Sequence, residues 1–264
     1  MTQPVEKFQH LVDKFSGVGF VPLDLPVFVP DDANLWAYLF AQQAGNVVYK
    51  PTDMSEFAVN YRKTVHFWGC VPFATRPDSE IMDQNQFFVT PRVHWEHHFP
   101  ILWGELQRRL PFSAIDQVTL WNSHREVNGH KDKHWFVDKE HHHLMRWPSE
   151  IRVEVYSENT EPIFRIRPNA DGEVGAGYMQ VRDDPMALCK LPKGTNSWAF
   201  RNETMVHGTR YYGKNKHLLI VQGVFDPDKV EALLDRSLAK YAEYVVPADR
   251  EAFNLYMQHH GNQV

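Results

Sequence analysis

Cysteine is scarce in this chain. Only Cys70 and Cys189 occur in 264 residues, and they stand far apart. That excludes a disulfide-stapled scaffold and a cysteine-based zinc module, and it reads as a reduced, cytoplasmic protein. No apolar run approaches the ~20 residues that cross a bilayer as a helix. The opening Met1-Thr2-Gln3-Pro4-Val5-Glu6-Lys7 lacks a basic start followed by an apolar stretch, so neither a secretory leader nor a membrane association is expected. Lys and Arg are scattered, and the formal net charge is −5. There is thus no basic footprint for a nucleic-acid partner. Internal repeats and low-complexity tracts are missing as well.

Histidine and aromatic residues are plentiful. The chain has fifteen His and eight Trp, and its hydrophobic share of 43% can build a sizeable core. Among the histidines one arrangement carries chemistry. His130-Lys131-Asp132 is followed by His207, 75 positions after Asp132 (207 − 132 = 75). In an extended segment residues i and i+2 point the same way, so His130 and Asp132 can face one metal ion. Two imidazoles and a carboxylate can occupy one face of an octahedral iron(II) ion and leave three positions open. His207 then has to come from a distant strand that folds back beside the pair. His94-Trp95-Glu96 and His124-Arg125-Glu126 have the same form with the longer carboxylate. His130/Asp132 is favoured because it follows the strand-like Val118-Thr119-Leu120-Trp121 and precedes a strand-rich stretch long enough to complete a barrel.

With these motifs the chain resembles the iron(II)- and 2-oxoglutarate-dependent dioxygenases. It is most similar to the smaller ones related to prolyl and aspartyl/asparaginyl hydroxylases. The resemblance runs from about Leu120 to Phe225, through the His-X-Asp pair, the distal His and the basic strand after it. It implies a double-stranded β-helix fold, with iron(II) held by His130, Asp132 and His207. It also implies 2-oxoglutarate as co-substrate, dioxygen as oxidant, and hydroxylation of an unactivated C–H bond. An amino acid or amino-acyl residue, presented as a small molecule or a peptide, would be the substrate. In that family a cation nine or ten positions after the distal His anchors the far carboxylate of 2-oxoglutarate. Here those positions hold Lys216 (216 − 207 = 9) and His217 (217 − 207 = 10). Lys216 is preferred because it is reliably charged at neutral pH. Arg210 and Arg152 are further candidates for binding the co-substrate. Trp121, Trp135 and Trp198 lie near the proposed metal segments and are candidates for a substrate-pocket wall, although aromatics serve first as core. A cupin-type metalloenzyme and a non-catalytic jelly-roll module for carbohydrate or another small molecule are the alternatives.

The pattern along the chain agrees with a mainly β protein flanked by helices. Amphipathic spacing predicts helices over residues 4–16 and 31–43, another after Pro100, and a last one capped by Asp226. Strands are expected over 118–123, 151–157, 162–167, 177–182, 186–191, 197–200, 204–211 and 218–225, separated by Gly, Pro and Asn turns. Eight short strands suit a jelly roll of cupin-like form. Residues 117–225 form this core in a single domain, with 1–110 as a helical and extended buttress and 226–264 as a helix and tail. The long connection between Asp132 and Ile151 carries His134, His141, His142 and His143 and is a candidate lid.

Overall fold

The computed structural model describes residues 3–27, 71–74, 100–123, 127–130, 150–157, 164–170, 185–202, 204–209 and 216–261. The expected helix over 31–43, the strand over 177–182 and the candidate lid lie outside these residues.

Eight strands run β3 (Phe112–Ser123), β4 (Val127–His130), β5 (Glu150–Ser157), β6 (Phe164–Pro168), β7 (Ala187–Cys189), β8 (Ser197–Phe200), β9 (Met205–Thr209) and β10 (Lys216–Phe225). They divide between two antiparallel sheets. One holds β8-β5-β10-β3 as neighbours, and the other has the order β4-β9-β6-β7. Except between β6 and β7, each strand of the eight passes to the opposite sheet from its predecessor. That alternation defines a double-stranded β-helix, a jelly roll with two four-stranded walls. The larger sheet is extended by β1 (Val18–Pro22) and β11 (Val246–Pro247) beyond β8, and by β2 (Val71–Ala74) beyond β3.

Local chemistry explains several of these elements. Pro192, Lys193, Gly194 and Thr195 make the turn from β7 to β8. The Thr195 amide bonds the Pro192 carbonyl at 3.4 Å, and Gly194 has φ +101. A β-turn of that kind requires positive φ at its third residue, which only glycine adopts without strain. After β10, Asp226 accepts from the Lys229 amide at 3.2 Å and Pro227 fills the first turn. The chain therefore starts α3 (Pro227–Lys240), which follows α1 (Gln3–Lys14) and α2 (Pro100–Arg109) in the chain. The segment after α3, read as a tail, in fact contains β11 and a further helix, α4 (Arg250–His260), capped by Asp249.

Strand alternation separates two cores. Ile151, Val153 and Val155 of β5 and Leu219 and Val221 of β10 face α1, α2 and α3. Phe164, Ile166, Trp198, Phe200, Met205 and Leu218 fill the space between the sheets. The site described below lies on the walls of that inner space.

Candidate metal centre on the inner wall

Strand β9 places Met205, His207 and Thr209 on one face, opposite Val206 and Gly208. His207 is 1% exposed. Its ring lies 4.8 Å from Phe200 at 66° and 6.0 Å from Phe164 at 42°, centroid to centroid. Phe200 belongs to the facing sheet, so His207 points into the barrel. Its Nδ1 is 3.2 Å from the Met205 carbonyl oxygen. A carbonyl can only accept, so Nδ1 carries a proton, and Nε2 is the nitrogen left to face a metal ion. Metal-ligating histidines are held in this way, with the second nitrogen donating to a backbone carbonyl or carboxylate.

His130 closes strand β4, and the ladder register pairs it directly with His207. Paired positions of an antiparallel ladder are close neighbours on one face of a sheet. The pairing is irregular between Val127 and His130, where three steps on β4 match two on β9 (Val127 pairs with Thr209). The bulge shifts the strand's phase by one residue and so decides which β4 position meets His207. Asp132, Arg210 and Trp135 lie outside the described residues, as do the rival pairs His94/Glu96 and His124/Glu126. Among the described residues no group of three or more His, Cys, Asp or Glu side chains is arranged to hold a metal ion.

Arg152 is a buried cation of the inner wall. Alternation along β5 turns it away from Ile151 and Val153, as its position in the sequence suggests. Its Nε donates to Glu150 Oε1 at 2.7 Å, and the two side chains are 5% and 3% exposed. The guanidinium carbon also lies 4.6 Å from the Phe200 ring centroid and 5.5 Å from that of Phe164. Arg152 and His207 thus rest on the same two rings. The two positions proposed for the co-substrate anchor, 216 and 217, open β10, and the ladder with β5 shifts register between His217 and Leu218, so strand parity does not choose between them. Trp198 is 2% exposed, pairs with Arg152 across β5 and β8, and packs 6.0 Å from Phe164. Position 121 pairs with Leu218.

Sequence reasoning did not single out Glu150, Phe164, Phe200 or the Met205 carbonyl. Glu150 left a usable signal. A carboxylate two residues before Arg152 on an alternating strand shares its face, and a buried pair of opposite charge follows from that spacing. The two phenylalanines left none, because their role depends on which sheet faces which.

The fold and these walls define a double-stranded β-helix protein with a histidine-bearing interior. No family model and no curated protein matches the chain. Two solved structures share part of its form. One is an Fe(II)/(alpha)ketoglutarate-dependent dioxygenase, TqaL, at 12% identity and a TM-score of 0.33, over 83% of this chain and 87% of that one. The other is the apo form of a non-heme monooxygenase, ThoJ, at 11% identity and a TM-score of 0.34, over 94% and 99%. A likeness this distant adds nothing to what the strand order already establishes.

Proposed function

We propose that this chain is a non-haem iron(II)- and 2-oxoglutarate-dependent oxygenase that hydroxylates a C–H bond of an amino acid or amino-acyl residue. The observation that carries the reading is His207. It is a buried imidazole on the inner wall, with Nδ1 committed to the Met205 carbonyl and its strand position paired with His130. The donor set suits iron(II): His130 and His207 would supply imidazole nitrogens and Asp132 the carboxylate. With iron bound, the chemistry supplied is oxidative decarboxylation coupled to hydroxylation, R–H + 2-oxoglutarate + O2 giving R–OH + succinate + CO2.

The protein's part is orientation and exclusion of water. Phe164, Phe200 and Trp198 keep the inner wall around His207 apolar, and Met205 holds the imidazole in the ligating tautomer. Lys216 is the proposed partner of the far carboxylate of 2-oxoglutarate, because it is reliably charged at neutral pH. Arg152 is committed to Glu150, so it is assigned to shaping the wall.

The test is an anaerobic titration. A visible charge-transfer band that needs both iron(II) and 2-oxoglutarate, and that His207→Ala abolishes, is the expected result. Zinc or manganese retained without response to 2-oxoglutarate would instead indicate a cupin-type metalloenzyme. Indifference to every metal would indicate a non-catalytic binding module.

A further inference from the structure

We infer that Phe200 is a positioning residue for His207, setting the rotation of the imidazole from the opposite sheet. This rests on the reading of His207 as a metal ligand. A histidine side chain has two rotatable bonds, so one hydrogen bond from Nδ1 fixes the tautomer but leaves the ring free to swing about that contact. The second constraint comes from Phe200. Its ring stands 4.8 Å from the imidazole and nearly perpendicular to it, at 66°.

Phe200 is itself pinned on two further sides. Arg152 sits 4.6 Å from its centroid, held in place by Glu150 at 2.7 Å. Phe164 meets it at 4.7 Å and 67°, an edge-to-face contact of the preferred kind. The relay Glu150–Arg152–Phe200–His207 therefore runs from β5 through β8 in the larger sheet to β9 in the smaller one. It ties the direction of Nε2 to the packing of one wall against the other. A ligand aimed in this way loses affinity for its metal when the support is removed, even though no donor atom is lost.

The experiment uses the full chain and cobalt(II) as a spectroscopic stand-in for iron(II). Phe200→Leu and Phe200→Met remove the ring while keeping the site apolar. Phe225→Leu is the control, an equally buried phenylalanine that stacks on Phe112 in the helix-side core, 4.3 Å away. Loss of about tenfold in cobalt affinity and an altered ligand-field spectrum in both Phe200 variants, with Phe225→Leu binding as wild type, is the expected result. Unchanged affinity and spectrum in a folded Phe200 variant overturns the inference. So does an equal loss in Phe225→Leu, which would show general loosening. Wild-type protein that takes up no cobalt or iron would instead sink the ligand reading itself, so the two failures are distinguishable.

Discussion

Replacing Glu150 by Gln should destabilise the fold by roughly 3 kcal/mol. The figure follows from burial. A salt bridge on the surface contributes about 0–1 kcal/mol because water solvates both partners. Glu150 and Arg152 are 3% and 5% exposed, and their contact is a direct 2.7 Å bond. Breaking a buried pair from one side typically costs about 3–5 kcal/mol, since the remaining charge keeps its desolvation penalty and loses its counter-charge. The lower end applies here because the guanidinium keeps the faces of Phe200 and Phe164, an attraction of up to about 2 kcal/mol when desolvated. A loss of roughly 3 kcal/mol is a large part of the 5–15 kcal/mol that holds a domain folded. In urea it would move the midpoint down by about 1 M, for a slope near 3 kcal/mol/M. Equilibrium unfolding of Glu150→Gln, Arg152→Met and the Glu150→Met/Arg152→Met double variant completes the test. The double variant removes both charges and should recover most of the stability. A Glu150→Gln loss under about 1 kcal/mol, or a double variant no better than the sum of its singles, would refute the claim that the pair is desolvated and coupled.

Gly19→Ala should lower stability by about 1–3 kcal/mol, read as a lower thermal midpoint. A Cβ there would lie 2.8 Å from Met205 Cε, 2.9 Å from the Val246 carbonyl oxygen and 3.0 Å from that of Pro247, and a midpoint equal to wild type would mean that the β11 edge yields freely. The ion pairs from Lys14 of α1 to Glu231 and Asp235 of α3 should loosen in acid. The Lys14 hydrogen bond holds the Glu231 carboxyl below the ordinary glutamate range, so its stabilisation is present above that range and disappears as pH falls through the folded-state value. Amide-exchange protection in α1 that stays constant through that window would argue against it. Lys216→Ala should raise the 2-oxoglutarate concentration for half-maximal turnover by roughly 10- to 100-fold, the equivalent of one charge-assisted hydrogen bond, with little change at saturation. If His217→Ala or Arg210→Ala has that effect instead, the anchor is misassigned.

What the sequence made legible was whatever is encoded locally. The Asp226 cap, the glycine turn before Ser197 and the alternation of Ile151-Arg152-Val153 each need only a few adjacent residues, and each stands in the structure at those positions. Strand β4 escaped because Val127-Asn128-Gly129-His130 has neither β-branched density nor alternation. It is a strand only because β9 pairs with it. Strand β1 differs: Val18, Phe20 and Val21 favour an extended chain locally, but its partners β8 and β11 are remote in sequence. Helix α4 is different. Asp249 followed by Phe253, Tyr256 and Met257 is a cap and an apolar stripe at helical spacing, so its signal was present though the segment was read as a tail. The histidine pair divides in the same way. His130 and His207 could be picked by residue type, whereas their adjacency depends on a long-range register and a bulge.

The two-core arrangement also determines how substitutions along one strand should differ. On β5, residues 151, 153 and 155 bury themselves against helices, while Arg152, paired with Glu150, meets the rings that surround His207. On β10, residues 219 and 221 share the helix-side core and 218 and 220 the inner one. Truncating the first set opens cavities remote from the inner wall and lowers stability alone. Changes in the second set act on the same space that orients the imidazole, so stability and ligand affinity move together there. A jelly roll can therefore vary its inner lining for a new ligand while the helix-backed face continues to hold the fold.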